Sequence, residues 1–129
     1  MYLALRTDNP TAEIYLYDGD KLVNSQVWLA HRELSATIHH KLKLVCDTAG
    51  VPLTALTGII FYSGPGSFTG LRIGAAVANA LGASFAIPVV GVTHDDWITQ
   101  GLHALTGMQG FSAIEPFYGS DAVTTKPKK

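Results

Sequence analysis

Several features that would define a class of function are scarce in this sequence or missing from it. Its single cysteine, Cys46, excludes a disulfide within the chain and suits a reducing compartment. No apolar run approaches the roughly 20 residues that cross a membrane. The N-terminus lacks the basic and apolar blocks of a secretion signal. We therefore expect a cytoplasmic protein with no membrane contact.

Charged residues are also few, at 15% of the chain, and the formal net charge is −1 with neutral histidines. Proteins that bind nucleic acid directly usually carry a basic surface, so direct nucleic-acid binding is not predicted. Hydrophobic residues make up 47% of the 129 residues, which is rich for one small domain. Part of this apolar surplus should form an interface with another protein.

Lysine is missing between Lys43 and Lys126, which excludes a P-loop in the glycine-rich stretch Ser63–Gly74. This stretch follows the apolar run 58–62 and precedes an alanine-rich run. Such an order predicts a strand, a tight turn and the start of a helix. Thr69 stands where a dinucleotide-binding fingerprint needs its last glycine. A strand–helix corner is the favoured interpretation, and phosphate binding at the helix start is the alternative.

The turn in this stretch is predicted to be structural. Glycines supply backbone conformations that a Cβ would forbid, and proline stiffens the turn between them. Ser67 is placed to cap the helix that follows. The residues assigned to this structural turn are Gly64, Pro65, Gly66, Ser67 and Gly70.

The pattern predicts a helix over 68–85 that is apolar on two sides. At about 100° per residue, the side expected to pack on a sheet holds Leu71, Gly74, Val77, Ala78, Leu81 and Phe85. The other side holds Phe68, Ile73, Ala76, Asn79, Ala80 and Ala83, with Arg72 as its one charge. A helix that is apolar almost all round is buried on both sides. We predict that another subunit covers the second side; the alternative is the chain's own C-terminal tail.

The rest of the chain predicts a mixed α/β domain. Residues 2–7, 12–17 and 21–29 form an antiparallel meander, and 88–92 form a buried parallel strand. A helix over 34–49 buries its apolar stripe, with Cys46 at the edge of that stripe. A milder stripe on the same helix could touch a partner; it holds Thr37, Lys41, Leu44 and Thr48.

The last third of the chain is predicted to begin with a further helix. Thr93 is expected to cap it, with Asp95 and Asp96 in its first turn. From 107 onward the sequence is irregular. Its aromatic residues are expected to anchor this tail to the body of the domain; they are Phe111, Phe117 and Tyr118.

The eleven-residue string from Gly64 to Gly74 resembles the signature of the TsaB family, also called YeaZ. Weaker similarity runs from Leu3 to about Val92, and residues 115–128 resemble the family's tail. The resemblance implies a ribonuclease-H-like lobe of the actin-like ATPase superfamily, with a five-stranded mixed sheet of order 3-2-1-4-5 and flanking helices. Family members have two related lobes, so the chain resembles a TsaB protein shortened to one lobe at 1–106 and a tail at 107–129.

The resemblance also implies a function. TsaB proteins are non-catalytic partners of the TsaD enzyme in making threonylcarbamoyladenosine on tRNA. We therefore expect a scaffold or activator subunit that binds a TsaD-like enzyme and meets tRNA only through the complex. A TsaE-like ATPase is a further candidate partner, and a homodimer is expected when the chain is alone. The predicted interface residues are Lys41, Leu44, Phe68, Arg72, Ile73, Ala76, Asn79 and Ala80.

Two alternatives involve chemistry. The first is a small ATP-binding lobe that acts as a dimer, with nucleotide at a subunit boundary. ATP-binding relatives have a glycine in the turn after the first strand, which here reads 6–10 as Arg-Thr-Asp-Asn-Pro. The second is a metallopeptidase, suggested by an old grouping with glycoproteases. The TsaD enzyme carries two metal-binding histidines that are four residues apart. His94 falls at the first of these positions, but Ile98 falls at the second and cannot bind metal. We predict no catalytic residue, no cofactor and no metal.

Overall fold

The computed structural model describes residues 1–108 and 110–114 of the chain, and this part forms one α/β layer structure. The strands are β1 (Tyr2–Arg6), β2 (Thr11–Asp18), β3 (Lys21–Leu29), β4 (Gly58–Tyr62) and β5 (Val89–Val92). The helices are α1 (Leu34–Ala49), α2 (Phe68–Phe85) and α3 (Trp97–Leu105). The aromatic anchors predicted at Phe117 and Tyr118 lie outside the described residues.

The five strands form one sheet of order β3-β2-β1-β4-β5, which confirms the predicted order. The first three strands are antiparallel, while β4 pairs parallel to both β1 and β5. Leu3 of β1 lies opposite Leu16 on one side and Ile59 on the other. Because β1 is central and covered on both faces, its apolar run has no polar alternation.

Helices α1 and α2 cover one face of the sheet, and α3 covers part of the other. The predicted apolar stripe of α1 is buried, and it includes Cys46 at 1% exposure. Burial raises the pKa of the Cys46 thiol, which fits a packing role. Gly50 ends α1 in the left-handed conformation, with φ of 72°.

The start of α3 differs from the prediction. Thr93 does not cap the helix, because α3 begins at Trp97 and Asp96 occupies the cap position. The Asp96 carboxylate accepts a hydrogen bond from the Gln100 side chain and does not cap a backbone amide of the helix. His94 takes a left-handed φ of 76° and its Nδ1 lies 2.7 Å from the Thr93 hydroxyl. Because of this turn the helix begins three residues later than predicted, so Asp95 and Asp96 precede it. The helix thus begins at Trp97, whose ring is buried against Tyr15 and Tyr62.

Trp97 anchors α3 on the second face of the sheet. Its ring lies 6.2 Å from that of Tyr15 and 5.9 Å from that of Tyr62, both in tilted or edge-on arrangements. The tryptophan is 4% exposed. Tyr15 also donates a 2.6 Å hydrogen bond to Glu13, and burial together with this bond raises its pKa to about 12.

The outer strand β3 carries apolar side chains that the described helices leave in solvent. Val27 is 55% exposed and Leu29 is 65% exposed, while Trp28 between them faces α1 and donates to Thr37. The alternation is that of a strand with two different faces. No helix in the described part of the chain is long and apolar enough to cross a membrane.

Replacing Gly101 with alanine tests the contact between α3 and the sheet. A Cβ at Gly101 would lie 2.7 Å from Cγ1 of Ile60 and closer still to its Cγ2. Since such overpacking typically costs about 1–3 kcal/mol, we expect the free energy of unfolding in urea to fall by that amount. Ala104→Ser, at an exposed site on the same helix, should change it by less than about 0.5 kcal/mol. Equal effects of the two variants would contradict the close packing.

Candidate functional site: the signature corner and the outward face of α2

The corner between β4 and α2 is built by the signature stretch. At the end of β4, Ser63 donates through both its amide and its hydroxyl to the carbonyl of Val92, at 2.8 and 3.1 Å. Gly64 then turns the chain with φ of 114°, a conformation that favours glycine. The Gly64–Pro65 peptide bond is cis. Ser63 thus ties the end of β4 to the end of β5, and the turn at Gly64 leads the chain from β4 toward α2.

Three glycines, four residues apart, make room for the end of β1. A Cβ on Gly66 would collide with the Cβ of Asp8, and one on Gly70 would collide with the Thr7 carbonyl oxygen. A Cβ on Gly74 would collide with the Thr7 hydroxyl and lie 2.7 Å from the Phe61 ring. Gly64 has the special backbone conformation that was predicted for both glycines of the turn, whereas Gly66 is needed for the close approach of Asp8. The four-residue spacing of Gly66, Gly70 and Gly74 is the feature of the sequence that indicates this close approach, because it places them along one side of the helix start.

Hydrogen bonds hold these two segments together. The Thr7 hydroxyl donates to the Gly70 carbonyl at 2.8 Å, and the Ser67 amide donates to the Asp8 carbonyl at 3.0 Å. The Ser67 hydroxyl accepts from the Gly70 amide at 3.4 Å, which confirms the predicted N-cap. The amides of Ser67 and Gly70 at this helix start are thus bonded within the protein and not open to a phosphate.

An ion pair closes the same corner electrostatically. Arg6 donates from Nε to Oδ1 of Asp8 at 2.8 Å, and its guanidinium lies 4.0 Å from the centre of the Tyr62 ring. The Asp8 side chain is only 5% exposed. Although partial burial acts to lower it, the pKa of Arg6 is raised by the hydrogen bond and charge of Asp8. The Arg6 guanidinium is therefore paired with the Asp8 carboxylate of the same chain.

A cavity of about 390 Å³ opens beside the corner. It lies between the turn after β1, the turn at His31–Glu33 and the start of α2. Its polar lining comes from side chains such as Asn9, Arg32 and Thr69. Among the described residues, there is no group of three or more histidine, cysteine or acidic side chains arranged to hold a metal ion.

The outward face of α2 consists of Phe68, Arg72, Ile73, Ala76 and Ala80. Phe68 is 55% exposed, Ile73 is half-buried, and Arg72, Ala76 and Ala80 are exposed. The Arg72 guanidinium lies 5.4 Å from the centre of the Phe68 ring. A shallow groove of about 340 Å³ runs along Phe68, Thr69, Arg72, Ile73 and Ala76. The inward side of α2 is packed on the sheet as predicted.

Asn79 differs from the other predicted interface residues. Its side-chain Nδ2 donates to the carbonyl of Ile114 at 2.9 Å, and its Oδ1 accepts from the Ile114 amide at 3.0 Å. Phe111 packs close to Gly82 on the same flank of α2. The beginning of the predicted tail therefore lies along one flank of this helix, and it occupies the Asn79 amide.

Lys41 and Leu44 are not brought together with the outward face of α2. Lys41 Nζ lies 5.6 Å from the centre of the Trp28 ring on β3, so its flank of α1 faces the outer strand. The flank of α1 that faces α2 carries His39 and Lys43, which line a cleft with Leu81. Helix periodicity placed Lys41 and Leu44 on one stripe correctly, but it could not show which neighbour that stripe faces.

Replacing Thr7 with valine tests the bond that joins β1 to α2. The variant keeps the shape of the side chain but removes the donor to the Gly70 carbonyl. We expect the free energy of unfolding to fall by about 1–2 kcal/mol in urea denaturation, because a buried hydrogen bond is lost. Thr69→Val, one residue from the same contact but exposed, should shift it by less than about 0.5 kcal/mol. An unchanged midpoint for Thr7→Val would contradict this role.

Comparison with known proteins agrees with this architecture. Residues 25–109 match the family model for tRNA N6-adenosine threonylcarbamoyltransferase, TsaD. The tRNA threonylcarbamoyladenosine biosynthesis protein TsaB of Escherichia coli K12 is 32% identical over 99 residues, covering 77% of this chain and 42% of that protein. A tRNA N6-adenosine threonylcarbamoyltransferase of Tropheryma whipplei is 34% identical over 115 residues, covering 65% of this chain and 29% of the enzyme.

Solved structures show the same fold. YeaZ from Pseudomonas aeruginosa superposes with a TM-score of 0.65 at 29% identity, covering 71% of this chain and 42% of that one. The chain therefore spans less than half the length of these relatives. The sheet order and the flanking helices confirm the ribonuclease-H-like, actin-like ATPase fold. The chain belongs to the TsaB (YeaZ) family, of which it spans about one lobe.

Proposed function

We propose that the chain is a non-catalytic subunit in tRNA threonylcarbamoyladenosine biosynthesis, and that it binds a TsaD-like enzyme through the outward face of α2. The relatives named TsaB support the process, and the likeness to the TsaD family supports the kind of partner. The observation that carries the proposal is the exposure of Phe68, Arg72, Ala76 and Ala80 on a helix whose other side is buried.

The composition of this face fits a protein interface. Aromatic residues and arginine are enriched in interface cores, and small residues allow two backbones to approach closely. Burying the exposed part of Phe68 would contribute on the order of 1–2 kcal/mol. Arg72 needs a carboxylate or a helix C-terminus on the partner, because an unpaired buried cation is costly.

A scaffold role is favoured over catalysis by the contacts at the signature corner. Thr7, Asp8 and Ser67 all direct their polar groups at neighbouring parts of the same chain. These bonds stabilise the position of α2, so the corner contributes a rigid support for the binding face. A subunit of this kind acts by holding the conformation of its partner.

Self-association through the same face is a further part of the proposal. A two-fold axis would place the same patch of both copies in contact, and each copy would bring its own Arg72 and no acidic residue to that patch. Since like charges oppose such pairing, we propose a homodimer that is weaker than the complex with the enzyme. We also propose a TsaE-like ATPase as a further partner, contact with tRNA only through the complex, and a cytoplasmic location. Membership of the TsaB family supports these three proposals.

Charge reversal at Arg72 tests the binding face. Arg72→Glu places an acid against the carboxylate proposed on the TsaD-like enzyme, and truncating a buried charged partner typically costs about 2–5 kcal/mol. We expect at least a roughly 30-fold higher Kd by calorimetry, and loss of the complex in co-purification. The matched control is Lys21→Glu, at an exposed site on the β2–β3 hairpin, which should bind like the parent chain.

Circular dichroism and urea denaturation should show the parent fold in both variants. Equal binding by Arg72→Glu and Lys21→Glu would count against this face of α2. Failure of the parent chain to bind the enzyme at all would count against the scaffold role itself.

An ATP-binding lobe is the second candidate, and the cavity beside Asn9, Arg32 and Thr69 is the observation that favours it. The turn after β1 argues against it, since residues 6–10 lack the glycine that ATP-binding relatives have there. We expect no binding heat when magnesium and ATP at millimolar concentration are titrated into the chain. Micromolar affinity, lost in Arg32→Ala but kept in Lys21→Ala, would favour the ATP-binding lobe instead.

A further inference from the structure

The strand β3 forms one edge of the sheet, and no other strand in the described part of the chain pairs with its outer side. Exposed edges of natural sheets are usually protected by charged residues, by proline or by a bulge. In β3 a lysine and a bulge lie at the hairpin end, at Lys21 and Val23. Residues 24–30 contain neither a charge nor a proline, so this part of the edge lacks these protecting features.

The register of β3 shows which of its main-chain groups face this open edge. The amide of Ala30 donates to the carbonyl of Pro10 at 2.8 Å, one residue beyond the pair that Leu29 forms with β2. In an antiparallel ladder, such a bond flanks a pair whose own N–H and C=O groups point away from each other. Leu29 therefore directs its N–H and C=O away from β2. Because the pattern alternates along the strand, Val27 and Ser25 do the same.

The side chains at these positions are exposed as well. Val27 is 55% exposed and Leu29 is 65% exposed, on the face opposite Trp28. The helix on that face, α3, packs on β4 and β5 at the other side of the sheet. The outer part of β3 thus offers both main-chain hydrogen-bonding groups and apolar surface.

A second copy of β3 complements this edge. If two copies run antiparallel about a two-fold axis at Val27, each Val27 lies opposite the other, and Ser25 lies opposite Leu29. All three positions then form pairs of the hydrogen-bonded kind, which exchange two main-chain bonds each, so roughly six bonds form. The exposed valines and leucines of both copies make one apolar row across the junction. Since residues 24–30 carry no charge, no like charges face each other along the paired strands.

Other occupants of the edge fit less well. The described chain ends at Ile114, beside Gly91 of β5, where a Cβ would lie 3.9 Å from the Cβ of Ile114. That strand is the opposite edge of the sheet, so the described chain leads away from β3. An uncharged edge has no charge pattern to select a foreign strand, whereas a two-fold axis matches this edge to itself.

Helix α1 gives further support to a second copy. It packs on β2 and β3, so pairing two β3 strands would place the α1 helices of both copies on one face of the joined sheet. Leu44 lies on the stripe of α1 that holds Lys41, which faces Trp28 on β3. Leu44 is half-buried and lies outside the core cluster. This stripe would therefore face the junction between the copies.

We propose that two copies of the chain associate through their β3 strands, antiparallel about a two-fold axis at Val27, so that two five-stranded sheets become one. This interface is separate from the outward face of α2, and it does not depend on the proposed function. Helix α2 packs on β1, β4 and β5, away from the junction. Each copy in this dimer therefore keeps the outward face of α2 for an enzyme subunit.

Cross-linking between full-length chains tests the position of the axis. Val27→Cys places two thiols at the axis, on Cα atoms about 5.5 Å apart. The matched control is Leu22→Cys, which is 48% exposed on the same strand. In the proposed dimer its two copies are ten residues apart along the strands, or about 33 Å. Cys46 is buried and is left in place. A short bis-maleimide should join Val27→Cys chains roughly tenfold faster than Leu22→Cys chains, because opposed thiols react at a high effective concentration.

Hydrogen exchange provides a second measurement, on the parent chain. The amides of residues 25, 27 and 29 should exchange more slowly as the protein concentration rises, because the dimer protects them. The amides of 24, 26 and 28 should be protected at every concentration, since they bond to β2. Val27→Lys, which sets two lysines opposite each other, should abolish the concentration dependence, and Leu22→Lys should retain it.

Fast cross-linking at 27 together with concentration-dependent protection supports the β3 dimer. Equal cross-linking rates for the two cysteine variants overturn it, even if sedimentation shows a dimer, which then forms elsewhere. Protection of 25, 27 and 29 at every concentration overturns it in favour of a segment of the same chain, and exchange without protection up to millimolar concentration overturns it in favour of a free edge. No enzyme is present in these measurements, so their failure leaves the TsaD-like partner to be judged by Arg72→Glu. Absence of enzyme binding would in turn overturn only the proposed function.

Discussion

The backbone contact between the end of β1 and the start of α2 determines the rest of this structure. At this contact, Ser67 donates to the Asp8 carbonyl and Thr7 donates to the Gly70 carbonyl. Three glycines permit it, because any larger residue at 66, 70 or 74 would meet atoms of Thr7 or Asp8. Since β1 is the central strand, the contact fixes α2 relative to the whole sheet. The glycine-rich signature is therefore best understood as a packing motif between a strand and a helix.

Fixing α2 in this way separates its two sides by function. The inward side is committed to the sheet, and its small residues bring the helix close to β1 and β4. The outward side carries Phe68, which is 55% exposed, beside Arg72. Because the inward side is packed on the sheet, the helix cannot rotate to bury these residues. A rigidly held apolar face loses little conformational entropy when it binds. The same rigidity would suit the face to the partner subunit that we propose.

The helices, the strands and the strand order could be predicted from the sequence, but the residues that each helix face contacts could not. The bounds of α1 and α2, the strand order and the burial of Cys46 follow from apolar periodicity and glycine punctuation, and the structure confirms them. Periodicity groups residues on one stripe of a helix, but it does not identify what lies opposite. For this reason Lys41 was assigned to the same interface as Arg72, although it faces Trp28. The cap at Thr93 failed because tertiary packing of Trp97 outweighed a local preference.

Asn79 shows why a polar residue on an apolar face carries so much information. An amide that is buried in an interface has to be paired, since leaving it unpaired costs about 1–3 kcal/mol. From sequence, the pairing group could belong to another subunit or to this chain. The structure pairs it with the backbone of Ile114, at both its donor and its acceptor. Arg72 lies on the same side of α2 and poses the same question, because its charge also needs a partner wherever this side is covered.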